Sequence, residues 1–287
     1  MGSTPSPARS SRCRRGRSRF AGATSKSERS SCTFRARDFD SRARERRRHA
    51  AGGTRMTSAD RSAVRAAVVI PAYEAASTIA LVVADARRHL DTVLVVDDGS
   101  QDGTAERATL AGADVVRHER NRGKGASLLT GMRTLAARGF THALSMDADG
   151  QHLGGEIPTL LAAARAEPAA IIIGVRQIGT QEVAAANLFG NRFANAAIRL
   201  AAGTAVGDTQ SGFRVYPLAT VLALPVDGER FEYESTVIIR AARAAIPVRS
   251  VAVEVYYPPI AERRSHYRKV VDTLRIIRAV APLLVRH

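Results

Sequence analysis

The chain has 287 residues, 45% of them apolar, enough for one large α/β domain or two small ones, and a single core is the simpler arrangement. Its formal net charge of +16 points first to nucleic acid or a membrane surface, yet residues 1–60 hold 16 Lys and Arg against 5 Asp and Glu, so the tail carries +11 and the remainder only +5. Both cysteines, Cys13 and Cys32, also lie in the tail, which excludes a disulfide, a thiolate zinc cage and a cysteine nucleophile from the body and fits a reducing compartment.

Residues 1–62 are rich in Arg, Ser, Gly and Ala and show no sustained apolar periodicity, so they are expected to be a disordered tail ahead of a single domain over 63–287. A basic binding arm, an organellar transit peptide and translation from upstream of the true start are the competing explanations. Met56-Thr57-Ser58, just before the first strand, favours the third. A secretory signal is excluded, because the tail lacks a continuous apolar segment of the required length.

From Ala66 the pattern becomes strand, helix, strand. Ala67 to Ile70 reads as a buried strand ended by Pro71, Ser77 to His89 as a helix, and Thr92 to Val96 as a second buried strand parallel to the first. A short helix is expected from about Asp102-Gly103-Thr104, a short strand over Ala113 to Arg117, and a helix over Ala126 to Arg138. The loop Asn121-Arg122-Gly123-Lys124-Gly125 before it offers a lysine and backbone amides to phosphate, without the spacing of a Walker loop. Thr141 to Met146 forms the next strand.

Each strand stops at a polar, mostly acidic cluster: Pro71-Ala72-Tyr73-Glu74, Asp97-Asp98-Gly99-Ser100, and Asp147-Ala148-Asp149-Gly150-Gln151-His152. Parallel strands whose carboxyl ends all carry such residues build a nucleotide crevice at one edge of the sheet. Asp-x-Asp at a strand exit aims carboxylate oxygens at one point, where Mg²⁺ or Mn²⁺ can bind beside phosphates; alone, the same pattern also describes a simple turn. No Gly-x-Gly-x-x-Gly follows the first strand, which argues against a dinucleotide enzyme.

Taken together, Val69-Ile70-Pro71-Ala72-Tyr73-Glu74, Val96 to Thr104, Asn121 to Gly125 and Met146 to His152 resemble glycosyltransferase family 2, in its branch of dolichyl- or polyprenyl-phosphate sugar synthases, over about residues 66–270. The resemblance implies a GT-A, Rossmann-like α/β fold: a mostly parallel sheet with flanking helices. It implies that Glu74 and Asp98 contact the nucleoside in a pocket shaped by Pro71, Ala72 and Tyr73. Asp147, Asp149 and Gln151 would hold the metal and the diphosphate, with Asp149 among the catalytic groups.

In the second half, a helix is expected at about Ile157 to Ala166, a strand at Ala169 to Gly174, a mobile loop over 175–186 and an amphipathic helix over Asn187 to Ala201. Asp208-Thr209-Gln210-Ser211-Gly212-Phe213-Arg214 is similar to the family's acceptor-loop motif, with Ser211 and Arg214 as donors suited to an acceptor phosphate. Phe231-Glu232-Tyr233-Glu234 opens a helix, where carboxylates also simply favour the dipole; the resemblance puts Glu232 and Glu234 at the site. A strand is expected over Val248 to Tyr257, ended by Pro258-Pro259. The cluster Arg263 to Lys269, with His266 and Arg268, lies where the family folds over the donor diphosphate and departs from the Gly-Lys-Ser-Lys form of dolichyl-phosphate mannose synthases. The final stretch, Val270 to Val285, is amphipathic, too short and charged to span a bilayer, and suited to a membrane surface or to packing on the body.

The expected reaction is metal-assisted transfer of a hexose, with inversion, from a UDP- or GDP-linked sugar to a polyprenyl-phosphate type of acceptor, at a peripheral cytoplasmic membrane face. Lys124 and the Arg268 region would offset charge on the leaving diphosphate. A hydroxyl acceptor would instead need a base, for which Asp208 is the candidate. A sugar-nucleotide-forming nucleotidyltransferase is disfavoured by Pro71-Ala72-Tyr73-Glu74 after the first strand. A nucleic-acid binder would rest on the basic tail alone, so no nucleic acid is expected as a partner.

Overall fold

Val68, Val69 and Ile70 have no exposed surface, because β1 (Ala66–Ala72) runs through the interior of a sheet covered on both faces. The computed structural model describes residues 64–176, 208–209, 211–226, 230 and 232–256. The expected tail, the loop beyond residue 176, the helices over 187–201 and 270–285, and the cationic cluster with His266 and Arg268 lie outside the described residues.

Among the described residues the chain runs β1, α1 (Ile79–Arg87), β2 (Val93–Asp97), α2 (Thr104–Leu110), β3 (Asp114–Arg117), α3 (Lys124–Ala137) and β4 (His142–Ser145). A single 3-10 turn (Gly154–Glu156) then leads into α4 (Ile157–Ala166) and β5 (Ile171–Arg176). After the undescribed stretch come β6 (Arg214–Pro217), α5 (Leu218–Leu222), α6 (Glu232–Arg243) and β7 (Val248–Val253). The strand order is β3-β2-β1-β4-β6-β5-β7. All neighbours are parallel except β6, which runs antiparallel to both β4 and β5.

The apolar runs split by alternation. Ala67 and Val69 of β1, with Leu94 and Val96 of β2, face α3 and α6 through Leu128, Met132, Val237 and Ile238. Val68, Ile70, Val93 and Val95 face α1 and α4 through Ile79, Val83, Leu160 and Leu161. Strands buried on both faces need apolar residues at every position, hence the unbroken Val-Val-Ile and Val-Leu-Val-Val. Burying each such side chain contributes roughly 1.5–3 kcal/mol. At Gly131 of α3 an added Cβ would sit 2.3 Å from Val69 Cγ2, so glycine sets how closely this helix approaches β1.

Two expectations need correction. Pro71 does not end β1, which continues to Ala72. Even-numbered residues of β1 bond towards β2, as in Val68 N to Thr92 O at 3.0 Å and Asp98 N to Ala72 O at 2.8 Å. The N–H that Pro71 lacks would face β4, whose pairing with β1 has already stopped at Val69 and Ser145. The second correction is β6, which sequence periodicity did not reveal. Its Arg214 pairs with Ser145, so the antiparallel direction carries Asp208 to Phe213 to the carboxyl edge of β4.

Candidate active site

Strand order reverses between β1 and β4, so the chain leaves β1 towards β2 on one side and arrives at β4 on the other. Open α/β sheets hold ligands in the crevice such a reversal leaves. Three loops line it, and hydrogen bonds lock the first two together. Three successive amides after β1 donate to side chains of the β2 exit: Glu74 to Ser100 Oγ at 2.9 Å, Ala75 to Thr104 Oγ1 at 2.8 Å and Ala76 to Asp102 Oδ2 at 2.9 Å. Glu74 returns one bond, its Oε1 accepting from Gln101 N at 2.8 Å. Holding both ends bonded places Glu74 at a φ of 51°, a conformation few non-glycine residues adopt.

Asp98, expected to contact the nucleoside, is engaged by donors of the protein itself. Buried at 3% exposure, it accepts from His118 Nδ1 at 2.7 Å, Arg122 N at 2.9 Å and Gly123 N at 2.7 Å. His118 Nε2 meets Thr130 Oγ1 at 3.0 Å on α3. The carboxylate therefore ties the glycine loop to the sheet and aims the start of α3, where Lys124 stands. Beside it, a depression of about 450 Å³ is lined by Gly99, Ser100, Gln101, Arg117, His118 and Glu119. Tyr73 is partly exposed, whereas Ala72 is buried and Pro71 is a strand residue.

At the β4 exit, Asp147 Oδ1 lies 2.6 Å from Lys124 Nζ, and the same ammonium lies 2.9 Å from Glu234 Oε2 on α6. The amide of Asp147 donates to His152 Nδ1 at 3.1 Å, which leaves the ring proton on Nε2, and the imidazole stacks on Phe213 with centroids 4.8 Å apart. Thr78 Oγ1 donates to Ala148 O at 2.6 Å, and Gln151 N donates to Asp149 Oδ1 at 3.0 Å. Gln151 O accepts from Tyr256 N at 2.9 Å, next to the bridge between His152 and Val255. The segment after β7 thus closes over the back of the Asp-x-Asp turn.

The electrostatics separate the two aspartates. Burial opposes ionisation of Asp147, but the ammonium of Lys124 outweighs it and draws the carboxyl down to about 2. Burial, then the like charge of Asp147, push Asp149 up to about 6. Asp149 still reaches solvent at the lip of the crevice, so water screens part of that penalty. Burial works against the charge of Lys124, yet Asp147 and Glu234 hold it above the ordinary lysine range. Burial pushes His152 down to about 4, a neutral ring at neutral pH.

Asp147 and Glu234 hold one ammonium between them and the like-charged Asp149 stands near Asp147, an excess of negative charge that a cation relieves. Two acidic oxygen donors at a strand exit fit a hard ion such as Mg²⁺ or Mn²⁺. Among the described residues no group of three His, Cys, Asp or Glu side chains forms a complete metal site, so the remaining ligands would come from substrate oxygens and water. The bonds that fix Gln151 are made by its backbone.

Ser211 and Arg214, expected to bind an acceptor phosphate, are both buried. Arg214 has no exposed surface, and its guanidinium donates to the carbonyls of Ser211 at 2.7 Å, Thr209 at 2.8 Å and Glu234 at 2.7 Å. Ser211, 2% exposed, accepts from Phe213 N. Both help to hold the loop's shape. Asp208, the base expected for a hydroxyl acceptor, is gripped by Arg176 of β5 through both oxygens, at 2.5 and 3.2 Å. Glu232 Oε1 accepts from Arg230 N at 3.3 Å, so it caps the start of α6.

Residues 67–219, more than half of the chain, match the profile of Glycosyl transferase family 2. The chain belongs to this family. Among its relatives, the UDP-N-acetylglucosamine–dolichyl-phosphate N-acetylglucosaminyltransferase of Methanococcus voltae is 26% identical over 66% of this chain and 85% of its own. The undecaprenyl-phosphate mannosyltransferase of Micrococcus luteus is 29% identical over 63% of this chain and 79% of its own. The crystal structure of glucosyl-3-phosphoglycerate synthase from Mycobacterium tuberculosis with Mn²⁺, UDP and phosphoglyceric acid superposes with a TM-score of 0.60, covering 80% of this chain and 84% of that one, at 22% identity. That likeness shows the GT-A fold, and membership in family 2 makes this protein a glycosyltransferase.

In this family 2 enzyme the structure brings Glu74, Lys124, Asp147 and Asp149 to one crevice. Four contributors went unassigned in the sequence. His152 stood inside a quoted motif, but nothing in the sequence told its ring from a surface histidine. Gly212 lies against the ion pair: an added Cβ would come 2.6 Å from an Asp147 oxygen and 2.8 Å from Lys124 Nζ. Arg176 showed only as a cation at the end of an apolar run, and His118 carried no signal.

Proposed function

We propose that this protein is a metal-dependent inverting hexosyltransferase that moves a sugar from a nucleoside diphosphate to a polyprenyl phosphate. The observation that carries this reading is the Lys124–Asp147 contact beside Asp149 at the β1/β4 crevice: one cation and two acidic donors where a diphosphate and its metal need them. Relatives named for dolichyl- and undecaprenyl-phosphate acceptors support the acceptor class.

In the reaction, an oxygen of the acceptor phosphate attacks the anomeric carbon, the bond from that carbon to the diphosphate oxygen breaks, and the nucleoside diphosphate leaves with the electron pair. Asp147 and Asp149 would hold Mg²⁺ or Mn²⁺, which supplies Lewis-acid stabilisation of the leaving diphosphate. Lys124 adds a positive charge beside it. The phosphate nucleophile is already anionic and needs no base, which agrees with Asp208 being held in an arginine fork. Glu74 and the depression at Gly99, Gln101 and Glu119 are suited to the nucleoside. His266 and Arg268 are proposed to close on the diphosphate. Among the described residues no helix is long and apolar enough to cross a membrane, and a peripheral attachment through the stretch 270–285 is proposed for reaching the lipid.

The test screens UDP- and GDP-sugars for Mn²⁺-dependent thermal stabilisation, since a ligand that binds only the folded state raises the melting point by mass action. The best donor, radiolabelled, is then offered polyprenyl phosphate. Label passing into the lipid phase is the expected result; stabilisation by a donor with transfer only to hydroxyl acceptors would overturn the acceptor assignment.

A further inference from the structure

We propose that Lys124 keeps the metal seat closed, its ammonium occupying Asp147 until a divalent cation takes over that carboxylate, and that Glu234 retains the lysine once it is displaced. The proposal rests on the reading of Asp147 as a metal ligand and adds to it an exchange of cations within the protein.

Lys124 is the first residue of α3, and its backbone is fixed by the Asp98 bonds to the loop before it. Movement is therefore confined to the side chain, which is 15% exposed and lies between Asp147 at 2.6 Å and Glu234 at 2.9 Å. An ammonium and a divalent ion repel each other strongly at one carboxylate, the more so where water is scarce. Metal arrival must therefore cost the Lys124–Asp147 contact.

Glu234 supplies the place for the ammonium to go. Its side chain is 7% exposed; Oε2 already holds Lys124, and Oε1 is buried with no hydrogen-bond partner among the described residues. A buried carboxylate oxygen without a donor is costly, so its retention needs a reason. The ammonium has three protons, and turning one from Asp147 to Oε1 satisfies that oxygen and leaves Lys124 charged beside the crevice. Gly212 leaves the third side of the ion pair without a side chain, since an added Cβ would fall 2.6–2.8 Å from its charged atoms. Glu234 is thus a positioning residue acting through Lys124.

The test measures Mn²⁺ affinity of the full chain without nucleotide, from the electron paramagnetic resonance signal of free Mn²⁺. Lys124→Met, which keeps the length and removes the charge, is expected to tighten Mn²⁺ by roughly tenfold, and Glu234→Gln to weaken it by a similar factor. The deciding variant is the double substitution, which spares Glu234 a buried charge without its partner and leaves only Asp147, 27% exposed, without its ammonium, so it is less disruptive to folding than Lys124→Met alone. Exchange predicts that it binds as tightly as Lys124→Met, because Glu234 acts only through the lysine. Affinity returned to the wild-type value would show two independent charges acting through space and would overturn the proposal, as would a Lys124→Met variant that binds no tighter. Wild-type protein that binds no Mn²⁺ at all would instead remove the metal seat on which the proposed function depends.

Discussion

His118 Nδ1 donates to Asp98 Oδ1 across 2.7 Å, and through this bond a residue after β3 fixes the loop that presents Lys124 from α3. A hydrogen bond to a charged group is worth about 1.5–3 kcal/mol, enough to matter for the geometry of the crevice. Asparagine places an amide nitrogen near the position of Nδ1, whereas glutamine places one near Nε2. His118→Ala and His118→Gln are expected to raise KM for the donor by about tenfold, and His118→Asn to stay near wild type. Steady-state kinetics on the three variants check this; equal loss in all three would mean the ring matters only for packing.

Gly212→Ala drives a methyl group to within 2.6–2.8 Å of Asp147 and Lys124. Overpacking of this kind costs about 1–3 kcal/mol, and here the strain falls on the charged pair itself. Expected are a lowered melting point and loss of most sugar transfer, read by calorimetry and by the radiolabel assay. Unchanged activity would show that the pair is free to shift without consequence.

Asp208→Asn breaks the fork with Arg176 and takes a carboxylate away from a largely buried guanidinium, a loss of about 3 kcal/mol. Restoring balance with Arg176→Gln in the same chain is expected to recover much of that stability. Asp147→Asn, by contrast, is expected to abolish transfer while the fold survives. A single radiolabelled donor compares them: full transfer by Asp147→Asn would remove it from the metal seat, and total loss in Asp208→Asn with unchanged stability would restore Asp208 as a base.

The contribution of His142 to stability should fall as pH drops below about 6.5. Burial depresses the pKa of His142, while Nε2–H donates to Pro168 O at 2.9 Å. Its folded-state pKa lies below the unfolded value, so the unfolded chain takes up the proton first. The neutral ring's contribution is complete above the unfolded pKa and is lost as pH falls from there towards the folded one. His142→Gln keeps a donor for Pro168 and removes the titration, so the slope of urea stability against pH is expected to flatten. His152, held near 4, gives a larger slope of the same sign and Asp149, raised to about 6, one of opposite sign, and both remain in the variant. An identical profile in His142→Gln would refute the assignment.

The sequence by itself determined the parallel half of the sheet and the identity of the crevice. Val68 to Ile70 and Val93 to Val96 are apolar at every position because both faces are covered, and such runs announce their strands; α4 matches the expected Ile157–Ala166 at both ends. The acidic stops at Glu74, Asp98 and Asp147 were legible because strand direction brings every carboxyl end to one edge, and their order along the chain sufficed to mark the family.

Tertiary structure decided what each side chain does there. Arg-Val-Tyr-Pro of β6 carries no strand signature of its own, and only its place between β4 and β5 makes it one and buries Arg214 among carbonyls. Asp98 and Arg214 have the chemistry of ligand contacts. Whether a charged group meets a ligand or the protein's own backbone depends on burial, and burial is set by residues distant in sequence. The same reason explains Lys124: its loop was readable, but its two partners come from β4 and α6, 23 and 110 residues further along the chain. A sequence lists the charges, and the packing of the sheet and helices selects which of them meet.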